Sequence, residues 1–365
     1  MKKIVYVVEA FGSGVYSFLT ELTSGLTNDY DIVIIYSLRK ETPANFEKDF
    51  NPKIKFVKID MCRGLNPYKN IKSLFQLRKM LKFEDPDIIH LHSSKAGFLG
   101  RIASYINGFD MNKVIYNPHG FSFLQKDKSS LKKKFFYRLE KFAAKFGGCI
   151  VGCSQSEYKE ALKLSSNCIN INNGIDTSKI DKLLNQVNLE SPNEKTNKSR
   201  AIIGTVGRIC RQKNPELFNK IAESFPNYNF VWIGDGELKD KLTSPNISII
   251  GWIERKQVLK KLLSFDIYIM TSLWEGLPIS LLEAMYLYKT VIVSNVIGNK
   301  DVVKNYENGF ISNDLNEFLN YINMILNDDD LKNKLSDNAN KTIDKYFNIK
   351  IMISKYKELY NTLKS

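Results

Sequence analysis

Short apolar runs rich in β-branched residues recur along the chain, and each is followed by a turn and an amphipathic stretch. Such runs are typical of parallel strands buried on both faces, and the stretches between them have helical spacing. The expected strands are Ile4–Val8, Asp31–Tyr36, Lys53–Ile59, Asp87–Leu91, Lys113–Tyr116, Cys149–Cys153, Ala201–Val206, Asn229–Ile233, Ile247–Ile250, Ile267–Met270 and Thr290–Val293. Alternation of this kind predicts βαβ units and therefore parallel sheets.

The alternation is interrupted between residues 181 and 200, where the sequence is polar, contains Pro192 and shows no periodicity. We interpret this segment as a linker, because 365 residues are more than one core usually needs. The predicted divisions are an N-terminal domain at 1–180, a linker at 181–200, a C-terminal domain at 201–345 and a final helix at 346–365. The fold prediction is α/β, with two Rossmann-like, doubly wound parallel-sheet domains facing a cleft. Ligands of such sheets bind beyond the carboxyl ends of the strands.

The formal net charge of the chain is +14 at neutral pH. A basic excess suits nucleic acid, an anionic membrane or a phosphorylated substrate, and equally lysines spread over solvated faces. The five cysteines include no CxxC pair, which favours free thiols in a reducing compartment. The N-terminal apolar run is too short for a spanning helix and lacks the apolar region and small-residue cleavage site of a signal peptide. We therefore expect a cytoplasmic protein.

The most informative motif, TSLWEGLPISLLEAM, follows the fourth predicted strand of the C-terminal domain. Pro278 suits the first turn of a helix, and the peptide N–H groups of Gly276 and Leu277 precede it at the strand ends, where a helix N-terminus binds phosphate. Glu275 lies in the loop, where it can meet a sugar, and Glu283 is placed to accept two ribose hydroxyls. The alternative is a capping glutamate and a second solvated one.

Two basic residues, Arg208 and Lys213, follow the first strand of the same domain. A guanidinium and an ammonium at one strand end can neutralise a diphosphate leaving group. An exposed basic turn would explain this pair if it stood alone. In combination with the Glu275 motif, we interpret the pair as part of a diphosphate site.

These motifs resemble those of the GT-B retaining glycosyltransferases of family 4, also called glycosyl transferases group 1. The matching residues are Ser272, Glu275, Gly276, Leu277, Pro278, Glu283, Ala284 and Met285, with Val206, Gly207, Arg208 and Lys213. Asn214 departs from the pattern, because a glycine often follows the lysine. The first domain is matched mainly by NPHG, the Gly12 loop and NGID.

The resemblance implies roles for residues of this chain. Glu275 would contact the donor sugar and Glu283 the ribose. The diphosphate would lie against Arg208, Lys213 and the backbone of Gly276, Leu277, Pro278 and Ile279. The backbone near Ile253 would border the nucleobase, and the final helix would cross back to brace the first domain.

In the first domain, Gly12 and Gly14 follow the first strand, and glycines there allow backbone to approach a ligand closely. The spacing is not the GxGxxG of dinucleotide binding. The resemblance implies a loop that closes over the donor phosphates, although Ser13 separates the glycines that are paired in the family.

The chain has three histidines, and two of them, His92 and His119, are expected at the ends of strands near the ligand. Each could instead be a hydrogen-bonded scaffold residue. The family often has a histidine near the donor sugar at the equivalent of His119, so we predict His119 as a catalytic residue with Glu275. His92, Ser93 and Lys95 are the acceptor-site candidates. We expect neither a metal nor a cofactor, because no close His/Cys cluster is present.

The stretch Leu131–Phe146 is predicted to be a helix that is basic on one side and aromatic on the other. This composition fits a helix lying on an anionic membrane, at the inner face for a cytoplasmic protein. It also fits a helix whose phenylalanines face the domain core. Both interpretations stay open.

The expected function is metal-independent transfer of a sugar, with retention, from a nucleotide-diphosphate sugar. A UDP-sugar is the preferred donor, and the acceptor is a saccharide or a polyprenyl-diphosphate-linked saccharide in cell-surface polysaccharide synthesis. One alternative is a sugar-nucleotide 2-epimerase on the same fold. The other is a basic nucleic-acid-binding protein, for which no RRM, KH, helix-turn-helix or zinc-finger signature is present.

Overall fold

The computed structural model describes residues 1–62, 64, 66–190 and 200–363, which divide into two compact units. The first unit contains Met1–Asn173 and Lys350–Ser365, and the second contains Gly174–Ile349. Each unit is built around one parallel sheet, so the predicted fold class is confirmed.

The strands follow the apolar runs of the sequence. They are β1 Lys2–Phe11, β2 Tyr30–Leu38, β3 Lys55–Lys58, β4 Ile88–His92, β5 Val114–Asn117, β6 Cys149–Gly152, β7 Cys168–Asn170, β8 Ile202–Val206, β9 Asn229–Ile233, β10 Ile247–Gly251, β11 Ile267–Met270, β12 Thr290–Ser294 and β13 Phe310–Ser312. The helices are α1 Ser13–Ser24, α2 Pro67–Glu84, α3 Ser94–Ile106, α4 Ser130–Ala144, α5 Gln155–Leu162, α6 Thr177–Glu190, α7 Pro215–Ser224, α8 Arg255–Leu263, α9 Ile279–Tyr286, α10 Asn299–Val302, α11 Leu315–Asn327, α12 Asp329–Tyr346 and α13 Ile349–Thr362.

The sheet of the first unit has the order β3-β2-β1-β4-β5-β6-β7, and its strand pairs are parallel. Ile4–Val8 is fully buried in β1, as a strand covered on both faces requires. Successive strands are added in one direction from β1 to β3 and in the other from β4 onwards. The direction therefore reverses between β1 and β4, and the loops after these strands border the position where such sheets bind ligands.

Helices α2, α3 and α4 pack on one face of this sheet. Their inward residues share one apolar core with the strands: Leu77 and Leu81 from α2, Leu99 and Ala103 from α3, and Phe136 and Tyr137 from α4. The outward sides of the three helices consequently belong to one layer of the unit.

The final helix, α13, carries two fully buried tyrosines into the first unit. The Tyr356 hydroxyl accepts a hydrogen bond from Asn117 Nδ2 at 2.9 Å, and the Tyr360 hydroxyl lies 2.8 Å from His90 Nδ1 and 3.0 Å from the Tyr6 hydroxyl. These contacts join α13 to β1, β4 and β5 of that unit.

The sheet of the second unit has the order β10-β9-β8-β11-β12-β13. Its core contains Trp232 of β9, whose ring packs edge-on against Phe218 of α7 at 4.9 Å between centroids. The strand order reverses between β8 and β11, which pair in parallel through Ile203 and Ile267. The switch point of this sheet therefore lies between the loops that follow β8 and β11.

Three features differ from the sequence-based expectation. The short edge strands β7 and β13 were not expected. The segment predicted as a linker begins inside α6, and residues 191–199 lie outside the described residues. The tail is divided into α11, α12 and α13, and the last of these passes from the second unit to the first.

Across residues 1–62, 64, 66–190 and 200–363, no helix combines the length and the apolar character needed to cross a membrane.

Candidate active site

The strongest sequence motifs meet at the switch point of the second unit. Arg208 and Lys213 follow β8, and Glu275 follows β11. Lys213 Nζ lies 2.7 Å from Glu275 Oε1, and the two side chains are 16% and 7% exposed. The structure thus brings Lys213 and Glu275 into a largely buried ion pair, a contact that the sequence did not predict.

Neighbouring groups hold this pair in place. Gln212 Nε2 donates to the Trp274 carbonyl at 3.0 Å and to Glu275 Oε2 at 3.2 Å, while Thr271 Oγ1 donates to the Lys213 carbonyl at 2.7 Å. Burial lowers the pKa of Lys213, but the charge and hydrogen bond of Glu275, together with Tyr268 and Cys210, outweigh burial and raise that pKa above its usual value. Lys213 is therefore a fixed positive charge near neutral pH.

Glycines allow the loops of the second unit to touch. Gly207 has a φ of +150° and Gly234 one of +139°. A Cβ on Gly234 would lie 2.1 Å from the Gly207 carbonyl oxygen, so a side chain at Gly234 would push apart the loops after β8 and β9. Likewise, a Cβ on Gly298 would lie 2.1 Å from the carbonyl oxygen of Gly276. The glycines of GDG (234–236) thus have a structural role, because they allow these loops to approach closely.

Helix α9 begins one residue later than predicted, with Pro278 as its N-cap. Within the described residues no side chain caps this N-terminus. Its first peptide N–H groups, from Ile279 onwards, are therefore suited to an anion. Glu283 of α9 is buried, and its Oε1 lies 2.9 Å from Arg255 Nη2 at the start of α8.

Arg208 makes a more exposed contact than Lys213. Its Nε and Nη2 donate to Glu237 Oε2 at 3.1 and 2.9 Å, and the side chains are 30% and 54% exposed. Ile253 lies between β10 and α8 and is half-buried, beside the exposed Trp252. The loops carrying Arg208 and Ile253 both follow strands of the same sheet.

The predicted glycine loop of the first unit is short, because α1 begins directly after Gly12. Gly12 is extended, with a φ of −175°, and Gly14 lies in the first turn of α1. A Cβ on Gly14 would meet nothing within 4 Å. Gly14 is exposed, so this position leaves room in front of the helix.

The histidines lie together at the ends of β4 and β5. His92 Nδ1 is 2.9 Å from His119 Nε2, and the two rings stack with centroids 5.2 Å apart. His90 Nε2 contacts Asn117 Oδ1, which makes that nitrogen a donor. Burial lowers the pKa of His90 and of His119 to about 3 each, and that of His92 well below its usual value. All three are therefore neutral at physiological pH.

Two residues of this region have positive φ without being glycine. Ser93, directly after β4, has a φ of +74°, and His119, two residues after β5, has a φ of +53°. Backbone of this kind is uncommon and often marks a functional position. Ser93 Oγ donates to Glu9 Oε2 at 3.3 Å, and Glu9 Oε1 is paired with Arg39. Residues Glu9, Ser93, His92 and His119 thus gather at the switch point of the first unit.

Lys95 is directed elsewhere. Its Nζ donates to Asn70 Oδ1 at 2.9 Å and to the Gly64 carbonyl. The structure therefore ties Lys95 to the segment before and within α2 rather than to His92 or His119.

Sequence reasoning missed Glu9, Gln212 and Arg255. Glu9 was visible as a charge directly after the apolar run Ile4–Val8. Gln212 sits beside Lys213 in the sequence, but nothing in its spacing indicates a contact with Glu275. Arg255 was hidden because its partner, Glu283, comes from a distant helix.

Two families match the chain. Residues 12–179 match the family described as Glycosyltransferase Family 4, and residues 187–342 match Glycosyl transferases group 1. The two matches meet close to the boundary between the structural units, and together they cover most of the chain.

Individual proteins are similar over most of their length. UDP-Gal:alpha-D-GlcNAc-diphosphoundecaprenol alpha-1,3-galactosyltransferase of Escherichia coli is 34% identical over 325 residues, which span 82% of this chain and 81% of that protein. The capsular polysaccharide biosynthesis glycosyltransferase CapM of Staphylococcus aureus is 25% identical over 355 residues, spanning 91% and 90%. Sucrose-phosphate synthase of Thermosynechococcus elongatus has a similar fold, with a TM-score of 0.82 at 16% identity over 100% of this chain and 99% of that one.

Proposed function

Because the chain belongs to glycosyltransferase family 4, as its motifs predicted, we propose that it transfers a sugar from a UDP-sugar, with retention, to a lipid-linked saccharide. Membership of the family makes the chain a glycosyltransferase. The donor, the acceptor and the stereochemical course are the proposal. The observation that carries it is the Lys213–Glu275 ion pair at the switch point, which joins the loop after β8 to the loop that leads into α9.

The donor site is proposed in the second unit. The diphosphate lies against the N-terminus of α9, with the charges of Arg208 and Lys213. Glu283 accepts the ribose hydroxyls, and the backbone near Ile253 borders the base. Glu275 contacts the sugar while its other side is held by Lys213 and Gln212.

The proposed chemical step breaks the bond between the sugar C1 and the β-phosphate oxygen. The acceptor oxygen bonds to C1 on the face that the phosphate leaves, and its proton passes to the departing phosphate. Two cations and a helix N-terminus stabilise the charge that develops on the diphosphate, so the proposal requires no metal. It needs no protein nucleophile either, unlike the two-carboxylate route of retaining glycosidases.

The acceptor is proposed to bind the first unit at His92 and Ser93, beside His119, which stays a proposed catalytic residue. The donor role predicted for Gly12 and Gly14 stays a prediction. A neutral His119 can accept or donate a hydrogen bond to a sugar hydroxyl without introducing charge. The Escherichia coli relative is named for an acceptor on diphosphoundecaprenol, and the Staphylococcus aureus relative for capsular polysaccharide biosynthesis. We therefore propose a saccharide on polyprenyl diphosphate as acceptor, and a peripheral position at the inner face of the membrane, with the basic helix α4 towards the lipid.

The test is transfer from UDP-galactose, and in parallel from other UDP-, GDP- and ADP-sugars, to N-acetylglucosamine on a short-chain polyprenyl diphosphate. We expect product with a UDP-sugar, an unchanged anomeric configuration by NMR, and full activity in EDTA. Lys213→Met abolishes transfer, while Lys304→Met at an exposed site retains it. An inverted product or a strict metal requirement would refute the mechanism. Release of UDP and an epimerised sugar without acceptor would indicate the 2-epimerase instead.

A further inference from the structure

Helix α2 has a strip of large apolar side chains that are exposed to solvent. Tyr68, Ile71 and Phe75 are 86%, 53% and 61% exposed. At about 100° per residue their positions fall within an arc of roughly 60°. Lys79 and Lys72 lie beside this arc, about 20° and 40° beyond Tyr68, and are exposed. The buried residues Leu77 and Leu81 lie on the opposite side, so this strip is the outward face of α2.

Helix α4 repeats this pattern. Leu131, Phe135 and Phe142 are 80%, 46% and 49% exposed and are spaced so that they share one helical face. A depression of about 320 Å³ on this helix is lined by Phe123, Lys133, Lys134, Tyr137 and Arg138. Phe136 and Tyr137 pack against the core. The two interpretations of this helix therefore apply to different phenylalanines.

The C-terminal end of α3 connects the two strips. Tyr105 is 57% exposed, and its ring packs edge-on against Phe146, just beyond α4, at 5.2 Å between centroids. On the other side, Asn107 receives a hydrogen bond from Arg78 Nε of α2 at 2.9 Å. The exposed apolar residues of α2, α3 and α4 consequently belong to one surface, which we call the α2–α4 surface.

The charge of the α2–α4 surface has a single sign. The one acidic residue of α2, Glu84, is buried and paired with Lys55 at 2.6 Å. The one acidic residue of α4, Glu140, is buried and paired with Arg101 at 3.0 Å. Among the described residues, no carboxylate lies within ion-pair distance of the lysines on the outward faces of α2 and α4. Cations interleaved with aromatic and aliphatic side chains complement anionic lipid.

We propose that the α2–α4 surface docks on an anionic lipid bilayer, with Tyr68 and Phe75 of α2 inserted at the interface. The inference rests on the proposed lipid-linked acceptor and deepens it, since it places α2 beside α4 in the lipid contact. A protein partner would need an acidic surface to match the same lysines, whereas a bilayer supplies negative charge and an apolar boundary together.

The experiment is co-sedimentation of the full chain with vesicles of phosphatidylcholine, with or without phosphatidylglycerol. We expect binding to the anionic vesicles that weakens as salt rises. Lys72→Gln with Lys79→Gln should weaken it about thirtyfold, because each lysine near an anionic surface contributes about fivefold. Tyr68→Ser with Phe75→Ser should weaken binding at every salt concentration.

Matched controls are Lys334→Gln with Lys341→Gln, and Tyr346→Ser, which change exposed residues of α12. These should bind vesicles as the original protein does. The inference is overturned if anionic lipid gives no preference, if the α2 variants bind normally, or if the α12 variants lose as much. It is also overturned if the α2 variants change only the sedimentation mass of the free protein, which would indicate a self-contact.

UDP protection against thermal unfolding and transfer to a water-soluble acceptor are measured on each variant. Both should be unchanged in the α2 variants, because none of these residues lies at the second-unit site. Vesicle binding without any UDP effect would refute the proposed donor site and leave the lipid contact standing. A UDP effect without vesicle binding would refute the lipid contact and leave the proposed donor site standing.

Discussion

Replacing Lys213 by methionine removes one charge of the largely buried pair with Glu275 and keeps a side chain of similar length. The 2.7 Å contact is lost, and the buried Glu275 carboxylate keeps the hydrogen bond from the Gln212 amide at 3.2 Å. Glu275→Gln removes the other charge and preserves shape. The double variant removes both.

The size of the effect follows from burial. Leaving one member of a buried ion pair alone costs about 3–5 kcal/mol. The Gln212 hydrogen bond keeps Glu275 partly satisfied, so Lys213→Met should lie at the low end, about 3 kcal/mol. Lys213 is more exposed than its partner, so Glu275→Gln should cost about 2 kcal/mol. The double variant should cost only about 2 kcal/mol, because no isolated charge remains, which gives a coupling near 3 kcal/mol.

The assay is unfolding near neutral pH with and without UDP. A chain of two units need not unfold in one step, so the transition that UDP raises is the one compared among variants. The pKa of Lys213 is raised, so its stabilising charge is fully present below the ordinary lysine value of 10.5 and is lost only as pH rises through the higher folded value. The coupling should therefore be constant between neutral and mildly alkaline pH.

Additive costs would refute this reasoning. If the double variant loses the sum of the two single losses to within about 0.5 kcal/mol, the two side chains do not interact in solution. If Lys213→Met is as stable as the original protein, the pair is solvated rather than buried.

Three further predictions concern separate features. Gly298 has a φ of +84°, and a Cβ there would lie 2.1 Å from a carbonyl oxygen, so Gly298→Ala should abolish UDP protection in the thermal assay. The control is Gly108→Ala, where φ is +70° but the space is open, and it should leave UDP protection intact. Arg255→Ala should weaken UDP about tenfold in titration calorimetry, the equivalent of one charged hydrogen bond, and should weaken 2′-deoxy-UDP less, because Arg255 holds Glu283. Burial lowers the pKa of His90 to about 3, so the unfolded chain binds more protons than the folded chain between pH 6.5 and 3. As the pH falls through this range, His90 should lower the free energy of unfolding by up to about 1.4 kcal/mol per pH unit. His90→Gln should make this pH dependence shallower in urea titrations.

The sequence predicted most of the fold because strands buried on both faces appear in the sequence as short apolar runs. Ile4–Val8 and Ile267–Met270 are fully or almost fully buried and were easily recognised. The edge strands β7 and β13 have three residues each, too few to show a pattern. Helix α6 was missed where polar residues precede the segment 191–199, although its early residue Ile180 is buried.

The sequence indicated candidate site residues one by one, but it did not indicate which of them contact each other. A motif indicates that Glu275 and Lys213 lie at strand ends, because strand ends follow from the alternation. Whether the two side chains touch depends on the crossover that places β8 beside β11, which is a property of the whole sheet. The same holds for Arg255 and Glu283. The contact between Tyr360 of α13 and His90 also depends on the tertiary fold, so the sequence alone could not indicate it.

Two ion pairs of the proposed donor site, Arg208–Glu237 and Lys213–Glu275, differ in burial and therefore in how each can take part in binding a diphosphate. Arg208 and Glu237 are 30% and 54% exposed, and a pair at such a surface is worth about 0–1 kcal/mol, so phosphate can replace Glu237 at little cost. Lys213 and Glu275 are far more buried, and separating them would be expensive. We therefore expect Arg208 to change partner when the donor binds, while Lys213 keeps Glu275 and adds the phosphate as a second partner. The carboxylate proposed to contact the sugar, Glu275, would then remain oriented throughout the reaction, which is the condition for stabilising a transition state without reorganisation.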